Sequence, residues 1–262
     1  MRLALRIVCA DESWRPPSAG MRAYQTDLAH IHHTGFTGFA SNAAPGLLNL
    51  LRQHRIRSGL VVDVGCGSGV WAGQLTKSGY DVLGIDISPA MIRLARRNAP
   101  RAQFRTGSLF AAELPRCDAV TAIGECVNYA FDTRSGLKGL AAFFRRVHAA
   151  LRPGGILIFD VVEPGLVPGG PQRKFSEGPD WVILLEVSED AAHGLLTRRI
   201  VSFRRAGKAY RRSEETHRLH LYRQHELLDA LRRAGFEARV LKGYGRFRFT
   251  PAHAAFVARK AR

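Results

Sequence analysis

The stretch VVDVGCGSGVWAGQLTKSGYDVLGIDISPAM, residues 61–91, decides the fold. The apolar run VVDV enters three glycines at alternate positions, Gly65, Gly67 and Gly69. A helical segment follows, then a second apolar run that ends in Asp86. Strand, glycine turn, helix and strand form the repeating unit of parallel sheets. The turn is also where such sheets hold nucleotides, because backbone N–H groups at a helix start face the ligand.

Working outward, short apolar runs alternate with helical periodicity from residue 58 onward. The pattern predicts strands at residues 60–64, 81–85, 102–105, 118–123 and 155–161, with helices at 70–78, 89–98 and 136–151. Ser88 is a natural cap for the second helix, with Pro89 in its first turn. Arg152, Pro153, Gly154 and Gly155 read as a stop and turn. Residues 43–54 predict an amphipathic helix, and residues 21–40 a helix and loop rich in histidine and aromatics. Residues 181–222 change style to a period of two, broken at His193-Gly194 and Ala206-Gly207, which describes an antiparallel meander. A helix at 224–234 and strands at 236–243 and 254–259 then resume the core pattern. The expected organisation is a poorly ordered extension (1–20, with Met21 an alternative start), a helical segment covering the site (21–57), a Rossmann-like core (58–163), an antiparallel insertion acting as a cap (164–222), and the last helix and two strands of the core (223–262).

The glycine loop admits several nucleotides, and its neighbours separate them. A P-loop needs Lys and Ser/Thr after the last glycine, but Val70 and Trp71 follow Gly69. A dinucleotide fingerprint is spaced GxGxxG, whereas this loop is GxGxG. Asp63 lies two residues before the first glycine, at the carboxyl end of the strand. A carboxylate there repels a pyrophosphate and attracts an ammonium. S-adenosylmethionine (SAM) presents such an ammonium on its amino-acid moiety. Asp86, 17 residues after Gly69, is placed to accept hydrogen bonds from ribose hydroxyls, a duty shared by SAM and NAD sites. Glycine spacing and Asp63 together favour SAM.

VVDVGCGSG, VLGIDISPAM and LRPGGILIFDVV resemble the successive signature segments of class I SAM-dependent methyltransferases. The resemblance spans about residues 45–161 and, more weakly, 224–260. It implies an α/β fold with a doubly wound, Rossmann-like seven-stranded sheet whose last strand is reversed, here carrying an antiparallel β insertion after the fifth strand. It implies SAM as cofactor, S-adenosylhomocysteine as product, and no metal. The cofactor-binding residues expected are Asp63, Gly65, Cys66, Gly67, Gly69, Asp86, Ile87, Met91, Ser108, Leu109 and Gly124. Cys66 reads as a small packing residue in the loop, not a nucleophile. The family often carries an acid after the third strand, near the adenine amino group. RTGSLF departs from that, leaving Ser108 and the backbone around Leu109 to serve.

Methyl transfer is an in-line displacement for which positioning and water exclusion matter most, with a base needed only where the acceptor must lose a proton. Candidate catalytic residues come from three places. Glu125, with Asn128 and Tyr129, follows the fourth strand in IGECVNYAFD. Tyr24 and His33, near His30, His32 and Phe36, lie in the N-terminal segment. His217, with Glu215, shares a strand face with Leu219 and Leu221. GECVNY departs from the Asn/Asp-Pro-Pro-aromatic run of many nucleic-acid and protein methyltransferases, so the expected acceptor is a small molecule offering nitrogen or oxygen. The meander's arginines favour an anionic one.

The net charge of +17 keeps RNA or protein as an alternative acceptor class. However, 33 of the 39 basic residues are arginine and they spread along the whole chain, without RNP-type aromatics or zinc-finger spacing. A non-catalytic SAM-binding protein is the other alternative. Cys9, Cys66, Cys117 and Cys126 show neither disulfide density nor CxxC spacing, so a cytoplasmic protein is expected. No apolar run is long enough to span a membrane.

Overall fold

The computed structural model describes residues 23–261; the expectations for residues 1–20, Met21 and Cys9 lie outside them. Two helices, α1 (Thr26–Gly35) and α2 (Gly38–Gln53), precede the core. The core then alternates β1 (Leu60–Val64), α3 (Val70–Lys77), β2 (Asp81–Asp86), α4 (Pro89–Asn98), β3 (Gln103–Thr106), β4 (Cys117–Ala122), α5 (Leu137–Ala150) and β5 (Leu151–Val162). An antiparallel unit follows: β6 (Gln172–Gly178), β7 (Trp181–Asp190), β8 (Leu195–Ala206) and β9 (Ala209–His220). The chain closes with α6 (Gln224–Arg233), β10 (Phe236–Leu241), a short hairpin of β11 (Gly243–Tyr244) and β12 (Phe247–Arg248), and β13 (His253–Lys260).

The seven-stranded sheet has the order β10-β13-β5-β4-β1-β2-β3. β13 runs antiparallel to both neighbours, and the other core strands are mutually parallel. Alternate residues feed two apolar layers. Val62, Leu83, Val120 and Leu157 meet α5 and α6 on one face, while Val61, Val82, Ala119 and Ile158 meet α2, α3 and α4 on the other. Burial of both faces explains why these strands read as continuous apolar runs. Strand order reverses between β2 and β4 around β1, and the carboxyl ends at that switch point are where doubly wound sheets bind ligands.

Ser88 caps α4, its hydroxyl accepting from Met91 N at 3.2 Å, with Pro89 in the first turn. The Arg152–Gly155 turn signal lies inside β5: Cys117 pairs with Leu151 and Ala119 with Ile156, so these residues bulge from the ladder, where Pro153 costs no hydrogen bond. Helix α2 begins at Gly38, earlier than the expected residue 43, and continues through Pro45.

The sheet β6-β7-β8-β9 is stitched to the core by Asn128, a buried residue. Its Nδ2 donates to Val162 O (2.9 Å) and His220 O (2.7 Å), and its Oδ1 accepts from Val162 N (3.2 Å). Helix α1 docks through Asp27, which accepts from Arg211 Nε at 2.5 Å and Arg204 Nη1 at 3.2 Å. Asn128 is thus consumed by structure. No described helix is long and apolar enough to cross a membrane.

Candidate active site

Between the carboxyl ends of β1, β2 and β4 and the inner face of the antiparallel sheet lies a cavity of about 700 Å³. At its core end, Asp63 is 2% exposed and accepts from Thr121 Oγ1 at 2.8 Å; Trp71 Nε1 in turn donates to Thr121 Oγ1 at 3.1 Å. Only the Oδ1 oxygen of Asp63 is so engaged among the described residues. Burial, with the nearby Asp86 charge adding to it, pushes the Asp63 carboxyl up to about 7. A carboxylate this poorly compensated suits a cationic ligand.

Asp86 holds the loop together. Its Oδ2 accepts from Gly67 N and its Oδ1 from Ser88 N, both at 2.8 Å, and burial raises its pKa. Gly67 has φ +52, and a Cβ there would meet nothing within 4 Å, so the turn leaves a cradle open on the cavity. Gly69, also at positive φ, lies off the cavity lining; a Cβ on it would come within 2.9 Å of Ala95 Cα, so it lets α3 and α4 approach. The residues present fit SAM: an uncompensated carboxylate for its ammonium, an acid at the ribose position and an open glycine cradle between them.

The far end carries a polar cluster. Glu125 has φ +53, uncommon for a side-chain-bearing residue, and follows Gly124 at φ +86. Asp160 on β5 holds this turn, accepting from Gly124 N (2.9 Å) and Glu125 N (2.7 Å) and also from Tyr244 Oη (2.9 Å). His253 Nε2 lies 2.9 Å from its other oxygen. Arg198 of β8 pairs with Glu125 and donates to Tyr129 Oη at 3.3 Å, and Tyr129 Oη lies 2.9 Å from Tyr24 Oη. Burial opposes the Arg198 cation, but Glu125 outweighs it and raises its pKa. Burial raises both tyrosines, so each phenol stays protonated at neutral pH.

A family described as "Methyltransferase domain" matches residues 61–155. The dTDP-3-amino-3,4,6-trideoxy-alpha-D-glucopyranose N,N-dimethyltransferase of Streptomyces venezuelae is 28% identical over 237 residues, covering 84% of this chain and 94% of that protein. A dTDP-3-amino-3,6-dideoxy-alpha-D-glucopyranose N,N-dimethyltransferase of Streptomyces fradiae is 28% identical, covering 86% and 90%. Among solved structures, the sugar N-methyltransferase KedS8 from Streptoalloteichus sp ATCC 53650 shares the fold with a TM-score of 0.75 at 20% identity, covering 98% of this chain and all of that one. Together these findings support a class I SAM-dependent methyltransferase.

In this methyltransferase most of the residues singled out from sequence converge on the one cavity. Asp63, Gly65, Cys66, Gly67, Asp86, Ile87, Met91, Ser108, Leu109 and Gly124 line its core end, and Tyr24, Glu125 and His217 its far end. Burial pushes the Cys66 thiol well up, as a packing residue requires. Leu109 O accepts from Arg146 Nη2 at 2.9 Å, which occupies part of the backbone expected near adenine. His33 is not brought to the cavity: its Nδ1 lies 3.0 Å from Ser68 Oγ, behind the glycine loop. Successive helical residues diverge by about 100°, so it is His32 that lines the cavity, where burial and the nearby His217 lower it to about 4.

His217 is wholly buried. Its Nε2 lies 2.9 Å from Glu215 Oε2, and Gln25 N donates to Glu215 Oε1 at 2.8 Å. The carboxylate only accepts, so Nε2 carries the proton, and Nδ1 has no partner among the described residues. The Tyr24 ring covers this imidazole at 4.8 Å and the Phe131 ring at 4.9 Å. Two further lining residues, Asp132 and Phe131, escaped sequence reasoning, and Arg198 is the one of the meander's arginines offered to an anionic acceptor that lines the cavity. Arg134, with Ser108 adding to it, holds the Asp132 carboxyl down to about 2. Among the described residues no cluster of His, Cys, Asp or Glu is arranged to hold a metal ion.

Proposed function

We propose that this methyltransferase acts on an amine nitrogen of a small, sugar-like acceptor. The observation that carries the reading is the roof. Side chains of β6 to β9 (Lys174, Leu185, Arg198 and His217) and of α1 cover the acceptor end. A cavity of this size suits a cofactor and a small molecule better than a polymer segment. Two relatives matched over most of their length are amino-sugar N,N-dimethyltransferases, which supports nitrogen over oxygen.

SAM supplies the electrophilic methyl group. Asp63 pairs with its ammonium, Asp86 accepts from the ribose hydroxyls, Ile87 and Met91 pack on the adenosine, and Ser108 with Asp132 receives the adenine amino group. Asp132 replaces the acid that RTGSLF lacks. The Tyr24, Tyr129 and Phe131 rings exclude water from the transfer zone and suit an amine that becomes more cationic as it is methylated. Tyr24 and Tyr129, as protonated phenols, orient the acceptor by donating, while Arg198 fixes Glu125 beside it.

An ammonium acceptor must shed a proton before attack. His217 Nδ1 is the base, and Glu215 keeps the other imidazole nitrogen protonated. His33 stays behind the loop and takes no part. Free Cys66, Cys117 and Cys126 suit a cytoplasmic enzyme.

The test is incubation with SAM and paired amino and hydroxy sugars, together with RNA, read by mass spectrometry for added methyl groups. Methylation of the amino sugars is expected. Methyl gain confined to hydroxy sugars would remove the nitrogen assignment, and gain on RNA would remove the small acceptor.

A further inference from the structure

A second concavity, of about 220 Å³, lies where the end of α2 meets β10 and the β11–β12 hairpin. Asn49 and Gln53 line it from α2, Arg239 from β10, Lys242 from the approach to the hairpin and Arg248 from β12. Leu50 and Leu241 add apolar surface, and no acidic residue lines it. All three cations are exposed, and none makes an ion pair among the described residues. Unpaired arginines are common in this chain, so exposure alone says little. These three differ because they converge on one small groove, beside two amide side chains, with no carboxylate to compensate them.

His54, next to the end of α2, feels the resulting field: burial lowers its pKa, and Arg239 and Arg259 lower it further. The carbonyl end of α2 opposes an anion here, but with about half a charge against three full ones. The donor set is that of a phosphate site. Guanidinium forks match phosphate oxygens in pairs, an ammonium adds a point charge, and the amides serve ester or acid oxygens. Three cations crowded together repel one another, so an anion of two or more charges is favoured over a monovalent one. The volume suits a compact anion and is small for a nucleotide.

We propose that this groove binds a small phosphate-bearing anion that clamps α2 to the β11–β12 hairpin. The two elements already touch closely: a Cβ on Gly46 of α2 would come within 2.2 Å of Tyr244 O. Tyr244 Oη donates to Asp160, which holds the Gly124 and Glu125 turn. Phe247 and Phe249 line the acceptor cavity, and Arg248 alone lines both cavities. A bound anion would therefore restrain the segment that backs the active site without touching the SAM cradle.

The test is isothermal titration of the full chain with inorganic diphosphate, inorganic phosphate and citrate at matched ionic strength of about 0.05 M, with hydrogen exchange read on the complex. Diphosphate should bind at one site, about tenfold more tightly than the other two, and weaken as salt is raised. It should slow exchange in the hairpin and in the last turn of α2. Arg239→Glu combined with Lys242→Glu should remove binding. Arg93→Glu combined with Arg101→Glu changes net charge equally at exposed positions that do not line the groove, and should leave binding in place. Diphosphate that does not bind, or that binds the groove variant unchanged, overturns the proposal, and so does equal loss in both variants. Citrate binding as tightly overturns the phosphate assignment, and unchanged hydrogen exchange overturns the clamp. A single-stranded RNA that outcompetes diphosphate and is lost with the groove variant would overturn the small ligand. None of these readouts depends on amine methylation.

Discussion

Asp63 should make SAM binding depend on pH in a way that can be worked out from its surroundings. In the ligand-free protein its carboxyl is pushed up from 3.8 to about 7 by burial. The cofactor's ammonium needs a carboxylate and draws the pKa back down, so below pH 7 binding must first expel a proton. Between pH 7.5 and 5.5 the dissociation constant should rise about 25-fold, approaching tenfold per pH unit at the acid end. Isothermal titration in two buffers of different ionisation enthalpy, at pH 6, should show close to one proton released per SAM. Asp63→Asn should bind more weakly and flatten this pH dependence. A dissociation constant that is constant over the range, with no proton release, would refute the ammonium role of Asp63.

The same residue links function to stability with a definite sign. A carboxyl whose pKa is raised on folding contributes stability below its unfolded value, and that contribution is lost as pH rises through about 7. The displacement corresponds to at most about 4 kcal/mol. Asp63→Asn should therefore raise the melting temperature of the SAM-free protein at pH 8 while lowering cofactor affinity. A variant that melts lower at pH 8 would show that the buried charge is better compensated than the Thr121 contact implies.

Other outcomes follow from the contacts. Asp86→Ala should weaken SAM binding tenfold or more in calorimetry, since charge-assisted hydrogen bonds of about 1.5–3 kcal/mol each are lost and Gly67 N and Ser88 N lose their acceptor. Asp160→Ala frees Gly124, Glu125 and Tyr244 donors at once; denaturant melts should show a loss of about 3–5 kcal/mol. His217→Gln should cut kcat/KM on an amine by about 10²-fold or more, leaving SAM affinity intact. The Asp27 carboxyl is held below its usual range, first by Arg211. It stabilises the docking of α1 above about pH 4 and should release that helix as pH falls through its depressed pKa; Asp27→Asn should raise α1 hydrogen exchange at pH 7 and flatten its acid dependence.

How much of this could be read from sequence depended on whether the determining interaction was local. Gly65, Gly67, Asp63 and Asp86 sit within one strand–turn–helix–strand unit, where spacing alone sets their positions, so the cofactor end was legible. Glu215 and His217 were placed on the buried face of β9 by strict strand alternation. His32 and His33 show the limit: a helix of known span has no known phase until something docks it, and Asp27 with Arg204 and Arg211, far apart in sequence, does that. Asn128 looked like a site residue because it follows β4, but its amide is spent on Val162 and His220. β6 went unread because its period-two residues are charged on both faces, as an edge strand's can be.

The acceptor end was less legible for a reason that lies in the architecture. At the cofactor end a single segment supplies most of the chemistry, so its sequence must carry the pattern. At the other end Glu125 comes from the loop after β4, Arg198 from β8, His217 from β9 and Tyr24 from ahead of α1, and all but His217, whose Glu215 partner is two residues away, are held by something distant. Asp160 is the extreme case. It touches no part of the proposed reaction, yet it fixes the Glu125 turn while binding Tyr244 of the β11–β12 hairpin and contacting His253 of β13. A core that delivers one turn this rigidly leaves the antiparallel insertion free to vary around it. Acceptor choice in this chain should therefore follow the inward residues of β6 to β9 more closely than the glycine loop. Exchanging Lys174, Leu185 and Arg198 should move acceptor KM while SAM affinity stays within about twofold; equal losses in both would mean the two ends are not separable.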